Sequence, residues 1–437
     1  MKKTQKKLIA MGVVFVVAII MMSLFVVGVG KRNRVDNESK LPKMDITLNN
    51  TSIEGVELDK DAKFPGNEVA VTFEGEKRNY SNVEIEGHGN STWQCDKKPY
   101  KLKFKHKTGL LKLASVKEWI LIANRYDNTQ LRNDIAFYVS NMLNMQYAPK
   151  GEYMELTIDD DYRGLYYLVP KIEIGKNSVN LRSSTGVLVE LDNLHGAEDS
   201  CYYSKEKMCL LMKDIVDKDN AEISMQYFVD NFNRLEAATR ERDYESISEV
   251  IDIDSFVKYY LLSEFTVNPD SYTSSWFMYK DGLDDKIHAG PGWDFDFALG
   301  NRNWIWNNDE DFYSPDLDMV REVDALGGKF IFNGKIVEKE PNWTISRVMI
   351  RLMKTLEFKE RVREVFAETM AGRKMELLNY IGRKADEIYP AILRDNGRWE
   401  EVNYWSEVNS LLDWVDKRYE HFEKTYGNEE NEKVEYF

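Results

Sequence analysis

Two hydrophobic patterns divide the chain into unlike halves. From Asp45 to about Leu113, short runs alternate apolar and polar residues and are broken by Gly, Asn and Pro. A period of two indicates antiparallel strands that bury one face. Strand-like runs return as YMELTID, LYYLVPK and GVLVELD. The N-terminal half is therefore predicted to be rich in β-structure.

Helical spacing dominates the second half. Apolar residues recur at intervals of three and four in 131–143, 221–240 and 252–265, and from Trp343 to the end of the chain strand signals are almost absent. The predicted fold is α+β, with a β-rich N-terminal half packed against a helical C-terminal half as one catalytic-type unit. Its predicted bounds are 44–425, followed by an acidic tail at 426–437.

The first thirty residues form a basic segment and an apolar segment. Residues 8–29 run for 22 positions without a charge, which is about 33 Å as a helix and matches a hydrocarbon core of roughly 30 Å. A cleaved signal peptide is the competing interpretation, although its apolar region is usually shorter. We favour a single-pass anchor in the cell membrane, with 31–43 as a linker and the folded domain outside the cytoplasm. If the segment is cleaved, the protein is secreted.

Charge is distributed unevenly along the 437 residues. The formal net charge is −15, but seven of the 59 Lys and Arg precede Asp36 and all 74 Asp and Glu lie from Asp36 onward. The part from Asp36 onward therefore carries −22. Such acidity argues against nucleic acid or an anionic membrane surface as a partner of the folded part.

The chain has three cysteines, and the sequence does not decide whether two of them form a disulfide. Cys201 and Cys209 flank CYYSKEKMC, which is compatible with two short strands around a turn. A disulfide between them, with Cys95 left over, and free thiols are equally compatible with this pattern. Neither CxxC nor HExxH occurs, and the five scattered His give no zinc set.

A glycine turn followed by a basic strand is the first candidate for chemistry. Glycines let backbone amides approach phosphate oxygens, and a lysine on the next strand adds a point charge. The strand offers Lys101 and Lys103 on one face. An ordinary surface hairpin is the alternative. The candidate residues of the turn are Gly87, Gly89, Asn90 and Ser91.

Loop carboxylates around an apolar hairpin are the second candidate. Asp270 follows a helical segment, and Asp294 and Asp296 lie in GPGWDFD after the strand-like WFMYK. Hard oxygen ligands of this kind suit Mg²⁺ or Mn²⁺ with a nucleotide, and leave one acid to accept a substrate proton. Loop acids that cap helices and turns are the alternative. Calcium binding by the acid-rich segment 307–318 is a weaker alternative, because that segment lacks the EF-hand spacing.

Together these segments resemble the CotH kinase family, the atypical kinases related to spore coat protein H. The resemblance runs from about Val83 to Asn301. It is carried by GHGNSTW, KKPYKLKF, WILIANRYDNTQLRNDIA, GLYYL, GVLVELD, NPDSYTSSWFMYKDG and AGPGWDFDFALGN.

The resemblance implies a role for each candidate. Asp270 matches the catalytic-loop aspartate, Asp294 the metal-binding aspartate of a W-D-x-D motif, and Asp296 its second acid. Lys103, with Lys101 as second choice, lies on the strand expected to contact ATP phosphates. The implied reaction transfers the γ-phosphoryl group of ATP to Ser or Thr of a protein, here a surface or coat protein, with Mg²⁺ or Mn²⁺.

Some positions depart from the family pattern. Pro170 stands near the place of an acid, which leaves Glu173 or Glu190 as the carboxylate partner of the lysine. Ser275 replaces a metal-binding Asn, and Glu86 stands where Arg is frequent.

Two other functions compete with the kinase hypothesis. A kinase-like surface module that binds protein or glycan without turnover is suggested by aromatic residues, which stack on sugars and peptides when exposed but more often belong to a core or lid. A nuclease or phosphatase with two metals is the third hypothesis. The aromatic residues concerned are Trp304, Trp306, Phe312 and Tyr313.

Overall fold

The computed structural model of the chain describes residues 39–192, 200–301, 313–325, 329–332, 335–338 and 344–427. The strands are β1 (Lys43–Thr47), β2 (Phe64–Phe73), β3 (Glu76–Gly87), β4 (Tyr100–Thr108), β5 (Val116–Ile122), β6 (Glu152–Ile158), β7 (Asp161–Pro170), β8 (Val187–Leu191), β9 (Cys201–Tyr203), β10 (Cys209–Ile215), β11 (Trp276–Lys280), β12 (His288–Ala289), β13 (Lys329–Phe332) and β14 (Lys335–Glu338). The helices are α1 (Ile53–Leu58), α2 (Arg132–Met142), α3 (Ala221–Glu241), α4 (Tyr244–Val250), α5 (Ile253–Thr266), α6 (Met319–Ala325), α7 (Ser346–Met353), α8 (Leu356–Thr369), α9 (Lys374–Arg398) and α10 (Tyr404–Tyr426).

Seven strands of the N-terminal half close into a barrel in the order β1-β2-β3-β4-β5-β7-β6. Closure depends on β1, which pairs antiparallel with β2 and parallel with β6. Alternation along β4 sends Tyr100, Leu102 and Phe104 into the barrel interior, where each is at most 3% exposed. The lysines between them, Lys101 and Lys103, therefore face outward.

A second sheet, in the order β12-β11-β8-β10-β9, follows the barrel in the chain. Every residue of β8 and of β11 is buried. The main apolar core contains residues of this sheet and of α2, α3, α5 and α7 to α10. The prediction of an α+β fold with a β-rich first half and a helical second half is confirmed, whereas closure of the barrel was not predicted.

A disulfide joins Cys201 and Cys209. The two residues lie on β9 and β10, which pair antiparallel and bring Cys209 opposite Tyr203. Of the two alternatives left open by the sequence, the hairpin disulfide is therefore confirmed, and Cys95 is a free thiol.

No helix among the described residues combines the length and the apolar character needed to cross a membrane. The predicted anchor at residues 8–29 lies outside the described residues, and so does most of the predicted tail at 426–437.

Candidate active site

One cleft, with a volume of about 430 Å³, contains nearly all of the candidate residues. Its walls come from the turn after β3, from β4, β5, β8 and β10, and from the segments around residues 270 and 294. Lys103 does not line this cleft. The predicted residues that do are Gly87, Gly89, Asn90, Ser91, Lys101, Asp270, Asp294 and Asp296.

The glycine turn is shaped by close packing. A Cβ on Gly87 would lie 2.6 Å from the ring of Trp93, and Gly89 has a φ of +75°, a backbone conformation that favours glycine. The N–H of Gly87 donates to the carbonyl oxygen of Lys60 at 3.0 Å. The turn is thus fixed by packing against the buried ring of Trp93 and by a hydrogen bond to the loop between α1 and β2.

Lys101 is the lysine that reaches the cleft. It lies opposite Glu86 in the register of β3 and β4 and forms ion pairs with Glu86 and, at 3.9 Å, with Glu118. Lys103 lies one repeat further from the turn, where it pairs with Glu84 at 3.9 Å and with Glu118 at 3.6 Å. Lys101 therefore lines the cleft and Lys103 does not, while the contact of either lysine with ATP phosphates stays a prediction.

The carboxylate partner of Lys101 also differs from the expectation. Glu190, one of the two candidates, pairs with Lys213 at 2.5 Å, and Glu173 does not line the cleft. The acid that departs from the family pattern, Glu86, takes this place, because strand pairing brings it directly opposite the lysine.

Four lysines surround His88 at the glycine turn. Burial, together with the nearby lysine charges, lowers the pKa of this imidazole to about 3. His88 is consequently neutral at physiological pH. Three of these lysines were missed by sequence reasoning, because they come from separate elements without a shared motif. The four are Lys60, Lys101, Lys171 and Lys213.

Asp270 lies in a short 3₁₀ turn, Pro269–Tyr272, immediately after α5. The side-chain oxygen of Asn268 accepts a hydrogen bond from the Asp270 N–H at 3.3 Å and so caps this turn. Burial, together with the charges of Asp296 and Asp192, raises the pKa of the Asp270 carboxyl to about 8. The aspartate is thus held in an anionic, poorly solvated part of the cleft.

Buried asparagines hold the segment that carries Asp294 and Asp296. Asn268 donates to the carbonyl oxygen of Asp294 at 2.8 Å, and Asn301 to that of Asp296 at 2.6 Å. Asn133 donates to the Asp296 carboxylate at 2.5 Å and accepts from the backbone N–H of Phe295 at 3.0 Å. The three asparagines were not singled out from the sequence, although each lies inside a motif that carried the resemblance.

A family model described as CotH kinase protein matches residues 85–422. The chain belongs to the CotH kinase family. The resemblance seen in the sequence is confirmed, and the match covers the glycine turn, Lys101 and all three aspartates. The strands β1 and β2, helix α1 and most of β3 precede the CotH kinase match.

The comparison with solved structures includes the crystal structure of a Helicobacter pylori proinflammatory kinase, CtkA. It is 8% identical, covers 79% of this chain and 92% of that chain, and has a TM-score of 0.22. No curated protein matches the chain.

The donor set of this CotH kinase fits a cation that binds together with phosphate. Among the described residues, no group of three or more His, Cys, Asp or Glu is arranged to hold a metal ion. Mg²⁺ is usually bound through one or two carboxylates plus substrate phosphates. Burial and the charge of Asp294 raise the pKa of Asp296 to about 8, so a cation between these two carboxylates would relieve their repulsion.

The aromatic cluster that suggested a binding module is only partly described. Tyr313 is 4% exposed and belongs to the main core, which agrees with the core interpretation of this ring. Trp304, Trp306 and Phe312 lie outside the described residues, as does the acid-rich segment up to residue 312.

Proposed function

We propose that this CotH kinase transfers the γ-phosphoryl group of ATP to a Ser or Thr hydroxyl of a surface or coat protein, with Mg²⁺ or Mn²⁺. We propose further that residues 8–29 anchor it in the cell membrane with the folded domain outside the cytoplasm. The observation that supports the reaction is the meeting of Asp270, Asp294, Asp296 and Lys101 in one cleft beside the glycine turn.

Asp270 is the proposed proton acceptor. The acceptor hydroxyl oxygen forms a bond to the γ-phosphorus as the bond from that phosphorus to the bridging oxygen of ADP breaks, and the hydroxyl proton passes to Asp270. Burial and the neighbouring carboxylates raise the pKa of this carboxyl, which makes its ionised form a stronger proton acceptor.

The remaining residues bind and orient the nucleotide. Lys101 and the backbone of the glycine turn face the phosphates, and three isoleucines of the cleft offer apolar surface to a base. A divalent cation held by Asp294 and Asp296 would neutralise phosphate charge, which an acidic protein needs because bare ATP is repelled by its field. The isoleucines are Ile120, Ile122 and Ile172.

The test is phosphoryl transfer by the purified full-length chain. It is incubated with γ-labelled ATP and Mg²⁺ or Mn²⁺, alone and with a Ser/Thr-rich acceptor protein, beside Asp270→Asn and Asp294→Asn variants. We expect both variants to transfer at least 10²-fold less labelled phosphate than the wild type. Phosphoamino-acid analysis of the labelled protein identifies the acceptor residue.

Asp284→Asn is the matched control, because this exposed aspartate lies on the hairpin between β11 and β12 and outside the cleft. Label in the wild type no higher than in the Asp270→Asn variant would refute phosphoryl transfer. Nucleotide binding without transfer would support the binding module without turnover.

A further inference from the structure

The loop between α1 and β2 lies against the glycine turn, although it precedes the region of the family match. Its Lys60 carbonyl oxygen accepts the N–H of Gly87 at 3.0 Å, and a Cβ on Gly87 would lie 2.9 Å from the Cα of Lys60. Asp59 stabilises the loop by accepting the N–H of Asp61 at 3.0 Å. The position of Lys60 relative to the turn is therefore fixed by its backbone.

The side chain of Lys60 lines the cleft. Its ammonium donates to the neutral amide oxygen of Asn90 at 3.3 Å, and the nearby Asp61 carboxylate is 3.8 Å away with its side chain 86% exposed. Solvent-exposed ion pairs of this kind contribute little stabilisation energy. The charge of Lys60 is thus weakly compensated by the protein.

The other lysines of the cleft have closer anionic partners. Lys101 forms an ion pair with a glutamate on the neighbouring strand, Lys171 lies 2.6 Å from Glu118, and Lys213 lies 2.5 Å from Glu190. An anion that enters the cleft must compete with a glutamate for these three lysines. At Lys60 it replaces a neutral oxygen and gains a charge-assisted hydrogen bond.

We propose that Lys60 is a further phosphate-binding residue of this cleft, supplied by a segment N-terminal to the CotH kinase match. Its ligand class is the polyphosphate of a nucleoside triphosphate, bound between this ammonium and the backbone amides of the glycine turn. The identification of that ligand as ATP rests on the proposed function. The contact itself rests on the position of Lys60 beside Gly87 and Asn90.

Lys63 provides a matched control. It belongs to the same loop and has the same charge, but its side chain is 58% exposed, lies 3.9 Å from Glu86 and does not line the cleft. Any effect that arises from the net charge of the loop is therefore shared by Lys60→Ala and Lys63→Ala. An effect of direct phosphate contact is confined to Lys60→Ala.

The experiment measures equilibrium binding of ATP, AMP and inorganic triphosphate to the full-length chain by calorimetry in the presence of Mg²⁺. We expect Lys60→Ala to weaken ATP and triphosphate binding about ten-fold or more, to leave AMP binding within two-fold, and to be partly rescued by Lys60→Arg. Lys63→Ala is expected to bind all three ligands like the wild type. Thermal unfolding of each variant checks that the fold is retained.

Equal weakening of ATP and AMP binding in Lys60→Ala would overturn the assignment, because it would indicate a distorted turn. Unchanged ATP binding in that variant would overturn it while the proposed kinase function stands. Triphosphate and ATP binding that depend on Lys60, without any phosphoryl transfer, would keep the assignment and refute the proposed function. Failure of the wild type to bind any of the three ligands would refute both.

Discussion

Asn268 contacts the two segments on which the proposed chemistry depends. Its side chain is fully buried, and it accepts from the backbone N–H of Asp270 while donating to the backbone carbonyl of Asp294. One amide therefore sets the distance between the proposed base and the proposed metal ligand.

We expect Asn268→Ala to lower the turnover number at least ten-fold while nucleotide affinity stays within about two-fold. The substitution removes the acceptor of the Asp270 N–H and a donor to the Asp294 carbonyl oxygen, which costs about 1–3 kcal/mol of stability and displaces both aspartates. Turnover is measured with γ-labelled ATP, and affinity by calorimetry.

The control for this prediction is Asn67→Ala. Asn67 is also buried and donates to the backbone of Phe64 and Val83, but it lies in the barrel away from the cleft. The Asn67→Ala variant is expected to be less stable than the wild type but to keep its turnover number. A similar fall in turnover in both variants would contradict a positioning role for Asn268.

Asp134 is a residue whose titration should change the stability of the fold. Burial raises the pKa of this carboxyl from 3.8 to about 6, and its oxygens accept hydrogen bonds from the hydroxyls of Tyr167 and Tyr380. Because the folded state binds the proton more tightly than the unfolded state, the contribution is fully present below about pH 4. It is lost as the pH rises through 6, by about 3 kcal/mol.

Asp134→Asn removes this titration. The free energy of unfolding, measured with denaturant from pH 4 to pH 7, should fall with pH more steeply in the wild type than in the variant. Parallel curves for the two proteins would show that Asp134 does not have a raised pKa.

The choice between Lys101 and Lys103 shows what a residue pattern can decide. Alternation correctly places both lysines on one face of β4, away from the barrel interior. Which of them enters the cleft depends on the register with β3, which puts Glu86 beside Lys101 and Glu84 beside Lys103. That register is a property of strand pairing and cannot be read from one strand.

At the scale of elements, local signals predicted helices well. The patterns at 221–240 and 252–265 correspond to α3 (Ala221–Glu241) and α5 (Ile253–Thr266). The start of α5 is fixed by Asp252, whose side chain accepts from the N–H of Ser255. Closure of the barrel was not predictable, because β1 and β6 pair in parallel across more than a hundred residues and no local pattern specifies a partner.

The disulfide is an element-scale feature with a measurable effect. It links β9, at the edge of the second sheet, to β10 across a sequence separation of 8. We expect Cys201→Ser with Cys209→Ser to lower the free energy of unfolding by about 2–3 kcal/mol, mainly because the unfolded chain loses a constraint. Nucleotide affinity should change little, since β10 keeps its pairing with β8.

Thermal unfolding with and without reductant measures this contribution. Reductant should lower the midpoint of the wild type and of Cys95→Ser, but not that of the double variant. A reductant effect of equal size in the double variant would show that the destabilisation has another source.

At the scale of the whole molecule, a buried ion pair joins the barrel to the C-terminal helices. Lys97, 1% exposed and just before β4, lies 2.8 Å from Asp395 of α9. The Asp395 carboxylate also accepts from the N–H of Leu165 on β7 and from the side chain of Gln130. Gly164 leaves room for this approach, since a Cβ at that position would collide with the carboxylate.

The pair was not predictable from the sequence, in which its members are almost three hundred positions apart. Lys97 begins KKPYKLKF, one of the segments that carry the resemblance, and Asp395 lies in an amphipathic helix, but neither pattern specifies the other residue as a partner. Only the packing of α9 against β7 brings a cation and an anion together in the core. The helices that end the chain are thereby connected to the barrel that carries the glycine turn and Lys101.

We expect Asp395→Asn to lower the free energy of unfolding by about 3–5 kcal/mol, because it leaves the Lys97 ammonium buried without an opposite charge. Lys97→Met combined with Asp395→Leu removes both charges and should recover most of that loss, as measured by urea unfolding. Recovery would show that the cost of Asp395→Asn is the uncompensated charge. If the double variant is as unstable as the single one, the hydrogen bonds from Asp395 to Leu165 and Gln130, rather than the ion pair, connect the helices to the barrel.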